Sequence, residues 1–300
     1  LGQYGSKDKL CFGFIFVENL STYERNYAMA FNVRAELARF LREDNVQNDI
    51  TSSLITNKII CARIVSREQG IIAGIRFTSM LFAMNGCRSK ILKKDGSTIH
   101  KNQTVLIVTG PARKILSCER TALNLLSRMS GIATTTNQLA RMIKNTNARL
   151  YSTRKTAPGL RYFDKEAVEI GGGKKHRVTL ADMIMIKDNH IATEGSLEIL
   201  IQRARKKDKI FEVEVETEKD AILAAKMGAS IIMLDNFTVT KIRKTIASLD
   251  RLGLRDKVKI EASGGISSAN IVAYAKSGVD MISMGSITNS VKAIDFSLEV

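Results

Sequence analysis

Residues 210–234, IFEVEVETEKDAILAAKMGASIIML, read as strand, helix, strand. Ile210–Val215 alternates apolar and acidic side chains at period two. Glu218–Met227 spaces its apolar positions helically, and Ser230–Leu234 ends in an unbroken apolar run. A strand returning through a helix to a second strand is the crossover unit of a parallel sheet. The same alternation extends in both directions. Further strands are predicted at Ala148–Ser152, Met183–Ile186, Val258–Ala262 and Val279–Ser283, separated by helices at Lys165–Ile170, Ser196–Lys206, Val239–Leu249 and Ser267–Lys276. Six such units over about half the chain, with nearly all-apolar strands, predict a closed or nearly closed α/β barrel. A doubly wound open sheet is the alternative, although no GxGxxG follows the first strand.

The preceding segment is mostly β. Val33, Leu37, Phe40 and Leu41 mark a helix over Asn32–Leu41. Ile59–Val65, Gly70–Ile75 and Thr104–Val108 read as strands, and Phe77–Met84 as a short helix. Ala112–Asn145 reads as two helices broken at Ser130-Gly131. Leu10–Val17, after Lys7 and Lys9, has the outline of a signal peptide but lacks a small-residue cleavage site. The division expected is an unassigned extension (1–26), a first α/β domain (27–128), a barrel (129–288) and a carboxyl-terminal segment (289–300).

The net charge of +16 admits a nucleic acid, an anionic membrane or a polyanionic substrate as partner. The basic residues are dispersed between apolar periods and the aromatics are few, which disfavours a nucleic-acid-binding module. No apolar run reaches membrane-spanning length, so no membrane partner is expected. Cys11, Cys61, Cys87 and Cys118 form no CxxC pair, which points away from zinc and disulfides and towards a reducing, cytoplasmic setting.

In a barrel, chemistry sits at the carboxyl ends of the strands. Those ends carry Arg154 and Lys155, Lys187, Glu214, Asp235, Ser263-Gly264-Gly265 and Gly285. Cations there suit an anionic substrate, guanidinium forks matching carboxylate or phosphate. His176 and Arg177 follow the glycine run 171–173, which a helix stop explains without a ligand. Glu212, Glu214 and Glu216 share one strand face. If that face is buried they require lysine or Mg²⁺, with Asp235 as a further oxygen ligand. For Glu212 an exposed edge strand remains a credible reading, and a carboxylate pair acting on a sugar is an alternative chemistry. The glycines after the last two strands suit a phosphate. Periodicity alone leaves Arg120 a surface residue.

Several motifs, in order, are similar to those of the quinolinate phosphoribosyltransferase family. They are Glu119-Arg120-Thr121-Ala122-Leu123-Asn124, Ser130-Gly131-Ile132-Ala133-Thr134, Thr153-Arg154-Lys155-Thr156-Ala157-Pro158-Gly159-Leu160-Arg161, the glycine run followed by His176-Arg177, and Ile186-Lys187-Asp188-Asn189-His190. Glu212-Val213-Glu214-Val215, Leu234-Asp235-Asn236-Phe237, Glu261-Ala262-Ser263-Gly264-Gly265-Ile266 and Ile282-Ser283-Met284-Gly285 complete the set. The resemblance implies an open α/β sandwich, an incomplete α/β barrel, and a carboxyl-terminal strand, Asp295–Val300, returning to the first domain.

It also implies transfer of phosphoribose from phosphoribosyl pyrophosphate to quinolinate with decarboxylation, in a homodimer or larger assembly where Arg120 completes the partner's site. Carried over by motif, Arg120, Arg154, His176 and Arg177 hold the pyridine dicarboxylate, and Lys155 and Lys187 lie between it and the donor. Glu214 and Asp235 serve the ribose and Mg²⁺. Ser263, Gly264 and Gly285 contact the 5′-phosphate, with Gly265 added from its place in the same turn. Asn48-Asp49 departs from the family pattern, where glycine usually precedes that aspartate. A related molybdenum-transport-associated protein acting on another acceptor is the alternative. Lys187-Asp188-Asn189-His190 together with Arg120 argue against it.

Overall fold

The computed structural model describes residues 31–300, so the amino-terminal extension and Leu10–Val17 lie outside the described residues. The chain forms two compact units. Among the described residues, one takes 31–138, 155–173 and 286–300, and the other 139–154 and 174–285. The division falls at 138/139, where the sequence suggests 128/129, and 155–173 goes with the first unit.

The first unit is built on an antiparallel sheet of β1 (Ile59–Ser66), β3 (Arg88–Ile91), β5 (Gln103–Pro111) and β12 (Phe296–Glu299), in the order β12-β1-β5-β3. β12 sets Glu299 opposite Arg63 and Phe296 opposite Ser66, so the carboxyl-terminal strand does return to this sheet. Helix α1 (Val33–Glu43) starts where Asn32 Oδ1 accepts the Ala35 N–H at 3.0 Å, and buries Leu37 and Leu41. The expected strand 70–75 stops after β2 (Gly70–Ile71), which pairs with β4 (Thr98–Ile99). Gly74 turns the chain and α2 (Ile75–Met84) begins.

The predicted break at Ser130-Gly131 is absent: α3 runs unbroken over Ala112–Met142. Ser130 Oγ accepts the Ala73 N–H at 3.0 Å. A Cβ on Gly131 would lie 2.2 Å from the Lys292 carbonyl oxygen. The glycine therefore permits backbone contact and does not end the helix. Within α4 (Arg161–Ile170), Phe163 meets the rings of Phe31, Phe40 and Phe77. Arg128 grips the buried Asp164 through two hydrogen bonds of 2.7 and 2.8 Å. Burial pushes the Asp164 carboxyl up while Arg128 pulls it back.

The second unit is a six-stranded parallel sheet of β6 (Arg149–Tyr151), β7 (Ile184–Ile186), β8 (Phe211–Val215), β9 (Ile231–Asp235), β10 (Lys259–Ser263) and β11 (Met281–Ser283). Its order, β6-β11-β10-β9-β8-β7, never reverses direction, which excludes the doubly wound alternative and fits an incomplete barrel. β6 and β7 are the two edges, and Lys174 makes a one-residue parallel bridge to β6. The intervening helices α6 (Leu197–Lys207), α7 (Glu218–Lys226) and α8 (Val239–Arg251) are capped by Ser196, Thr217 and Thr238. The last helix pattern shortens to α9 (Ile271–Ala275). α5 (Asp188–Glu194) and α10 (Ser286–Asn289) add turns that the sequence pattern does not show.

Met183, Ile231 and Met281 pack together as an apolar floor, with Tyr151 and Ile210 against them. Period two then raises two further layers on the same face. Met185, Glu212, Met233, Glu261 and Ser283 form the middle layer, and Lys187, Glu214, Asp235, Ser263 and Gly285 form the carboxyl-end rim. The pairings Met185↔Glu212, Glu261↔Met233 and Ser263↔Asp235 lie within layers, whereas Glu214↔Met233 and Glu261↔Met281 step by one layer, the stagger of strands tilted in a barrel.

Candidate active site

Ten of the twelve residues selected from sequence belong to this one unit: Lys187, Glu214, Asp235, Ser263, Gly264, Gly265 and Gly285 at the strand ends, and Arg154, His176 and Arg177 on the loops beside them. Lys187 and Glu214, at the ends of adjacent strands, form an ion pair. The Lys187 N–H donates to His190 Nδ1 at 3.0 Å, tying the strand end to α5. Next along the rim, Asn236 donates from Nδ2 to Asp235 Oδ2 at 2.7 Å and from its backbone to the Ser263 carbonyl at 2.9 Å. A Cβ on Gly264, where φ is +87°, would come within 2.1 Å of Asn236 Oδ1, so only glycine fits there. Nothing lies within 4 Å of where a Cβ on Gly265 would stand, so the Gly264-Gly265 backbone is open on that side.

Two arginines reach the site without an ion-pair partner among the described residues. Arg177 is 7% exposed, and its guanidinium donates to the Met183 carbonyl at 3.3 Å and to Met185 Sδ at 3.0 Å. Arg154 Nε is buried with no hydrogen-bond partner, and among the described residues neither arginine makes an ion pair. Burial draws the Arg177 guanidinium's pKa down. Glu212 raises it again and Arg154 lowers it further, so the two cations repel at close quarters. The loop after Arg177 is tied by Asp182, which accepts the Val178 and Thr179 N–H groups at 2.7 and 2.9 Å.

Beneath the rim His176 meets two carboxylates, Glu212 and Glu261, that sequence reasoning did not select as site residues. Glu212 and Glu261 are completely buried, and His176 is 5% exposed. The exposed-edge reading of Glu212 is therefore wrong, because β8 lies between β7 and β9. His176 Nδ1 accepts the Arg177 N–H at 2.8 Å, which places the ring proton on Nε2. Nε2 lies 3.2 Å from Glu261 Oε2 and 3.4 Å from Glu212 Oε2, so its hydrogen bond goes to Glu261. These three side chains are close enough to resemble a metal cluster, but a protonated Nε2 has no lone pair to offer a cation. Burial, reinforced by Glu261, pushes the Glu212 carboxyl up to about 8, against His176, Arg177 and Lys187. The signal in the sequence was the glutamate alternation on β8. Period two gives the shared face and does not say which members lie below the solvent line.

Lys155 and Arg120 belong to the other unit. The Lys155 carbonyl accepts the Thr288 hydroxyl at 2.8 Å. Arg120 is exposed and lines a cleft of about 470 Å³ with Arg39, Glu43, Asp44 and Asn124. Among the described residues no helix is long and apolar enough to cross a membrane.

The family description "Quinolinate phosphoribosyl transferase, N-terminal domain" matches residues 49–130, and its C-terminal counterpart matches 132–299. The chain is 44% identical to a probable nicotinate-nucleotide pyrophosphorylase (carboxylating) of Methanothermobacter thermautotrophicus, over 88% of this chain and 97% of that one. It is 34% identical to the nicotinate-nucleotide pyrophosphorylase (carboxylating) of Rattus norvegicus, over 83% and 85%. The structure of the nicotinate-nucleotide pyrophosphorylase from Francisella tularensis superposes with a TM-score of 0.82 at 36% identity, covering 89% of this chain and 96% of that one. With both domain descriptions matched in order and the rim motifs gathered at one sheet end, the chain belongs to the quinolinate phosphoribosyltransferase family.

Proposed function

We propose that this protein transfers phosphoribose from phosphoribosyl pyrophosphate to quinolinate, releasing pyrophosphate and CO₂ and forming nicotinate mononucleotide for NAD biosynthesis. The observation that carries the acceptor is the pair of guanidiniums, Arg154 and Arg177, neither of which makes an ion pair among the described residues. A pyridine dicarboxylate supplies the two missing anions and relieves their mutual repulsion.

The ring nitrogen's lone pair attacks C1 of the ribose as the bond to pyrophosphate breaks. Positive charge builds on the ribose, and the rim carboxylates Glu214 and Asp235 stabilise it in a site with restricted water. Lys155 and Lys187 offset the charge of the phosphates, and Ser263, Gly264, Gly265 and Gly285 hold the 5′-phosphate through the glycine-built turns. The glycosylated ring nitrogen is cationic. The 2-carboxylate then leaves as CO₂, its electron pair is held by the pyridinium, and a proton replaces it. The protein's work in that step is to orient the carboxylate and exclude water.

The oxygen donors of Glu214 and Asp235, on adjacent strands, fit Mg²⁺ held partly through water and substrate phosphate. When bound, the ion neutralises the departing pyrophosphate. Arg120 completes the site of a second copy in a homodimer or larger assembly, and a cytoplasmic location belongs to the same reading. Mixing Arg120→Ala with Arg154→Ala subunits tests the sharing. Verified mixed dimers regain part of the activity that each variant lacks, and no regain overturns it.

A further inference from the structure

We propose that Glu261 is a positioning residue for Arg177, acting through His176. This rests on the reading of Arg177 as a holder of the acceptor's carboxylate. The residues form a continuous chain. Glu261 Oε2 accepts from His176 Nε2 at 3.2 Å, and His176 Nδ1 accepts from the Arg177 backbone at 2.8 Å. His176 stands at φ 54°, in the left-handed region that non-glycine residues seldom occupy. The two ring hydrogen bonds offset the cost of that conformation.

The kink sets where the next side chain starts. Arg177 lacks any strong acceptor of its own, being held only by a carbonyl at 3.3 Å and a thioether at 3.0 Å. Such contacts leave the guanidinium free for a ligand but fix its direction weakly. Orientation therefore has to come from the backbone, and the backbone is fixed by the imidazole. Glu261 is suited to anchor that ring because it sits in the middle of a central strand, wholly buried, with its other oxygen unpartnered. The nearer carboxylate below the ring, Glu261 at 3.2 Å against Glu212 at 3.4 Å, takes the Nε2 proton and selects the tautomer that leaves Nδ1 open to the Arg177 N–H. Both ring nitrogens are engaged in this way, so His176 serves the acceptor indirectly.

The test uses full-length Glu261→Met and Glu261→Gln. Methionine keeps the volume and removes the acceptor. It should raise the quinolinate KM about tenfold and leave the phosphoribosyl pyrophosphate KM within about twofold. Glutamine retains an acceptor oxygen and should restore most of the quinolinate affinity. In ¹⁵N-histidine-labelled protein, which has only three histidines, the His176 ring should lose its single-tautomer pattern in the methionine variant. An unchanged quinolinate KM, an unchanged ring pattern, or equal rises in both KM values overturns the proposal.

Should Glu261→Met fail to fold, His176→Asn carries the test. Asparagine tolerates the left-handed backbone, so the quinolinate KM must again rise alone. Arg177→Lys separates the two levels. If it leaves the quinolinate KM unchanged, the acceptor reading fails. If it raises that KM while Glu261→Met does not, only the positioning fails.

Discussion

Lys187 and Glu214 form an ion pair across the ends of β7 and β8, joining a cation and a carboxylate at the rim. Lys187 remains 36% exposed, so solvent screens the pair and its contribution to folding is small. The proposed function gives it a chemical role instead. Lys187→Ala and Glu214→Gln should each lower kcat about 100-fold while thermal midpoints move little, because both groups act on charge that develops during pyrophosphate departure. Loss of folding without a specific fall in kcat would assign the pair to stability instead.

Glu214 and Asp235 present hard oxygen donors on neighbouring strands. Removing divalent cations with a chelator should abolish turnover, and Mg²⁺ should restore it. Quinolinate binding measured by calorimetry should survive chelation, because the proposed function assigns that substrate to the arginines. Quinolinate binding that vanishes with the cation would contradict this division of labour.

Glu212 gives a pH dependence of definite sign. Burial and Glu261 raise its carboxyl from 4.5 to about 8. A group raised in the folded state contributes stability fully below its unfolded pKa, and that contribution is lost as pH climbs through the folded value. Glu212→Gln removes the titration. Its denaturation midpoint relative to wild type should therefore rise between pH 5 and pH 9. A difference that stays constant over that window would show that Glu212 does not titrate there.

Gly131 lies inside the 31-residue helix α3, where alanine is intrinsically about 1 kcal/mol the better helix former. A Cβ there would meet the Lys292 oxygen at 2.2 Å. Gly131→Ala should thus destabilise the protein, by about 1–3 kcal/mol in chemical denaturation. Stabilisation would mean that the backbone contact is absent in solution.

These residues also mark how far the sequence could be read. The parallel unit was legible because Ile210–Val215 and Glu218–Met227 carry clean periods of two and 3.6, which are local properties. The rim was legible because strand ends place Lys187, Glu214 and Asp235 on one side by topology. Gly131 misled because its partner, Lys292, is remote in the chain, and no local pattern announces a backbone contact. Arg128 and Asp164 likewise carry no pairing signal in sequence. Glu261 was visible only as part of a motif, because its role depends on burial and on the His176 ring, both products of the fold.

The central claim is that a pyridine dicarboxylate meets an activated sugar phosphate at this rim. Quinolinate labelled in its 2-carboxylate, incubated with phosphoribosyl pyrophosphate and Mg²⁺, tests it most directly. Labelled CO₂, pyrophosphate and nicotinate mononucleotide should appear in equal amounts, with nicotinate a far poorer acceptor. Nucleotide formed from nicotinate as readily as from quinolinate, or no release of labelled CO₂, would contradict the account.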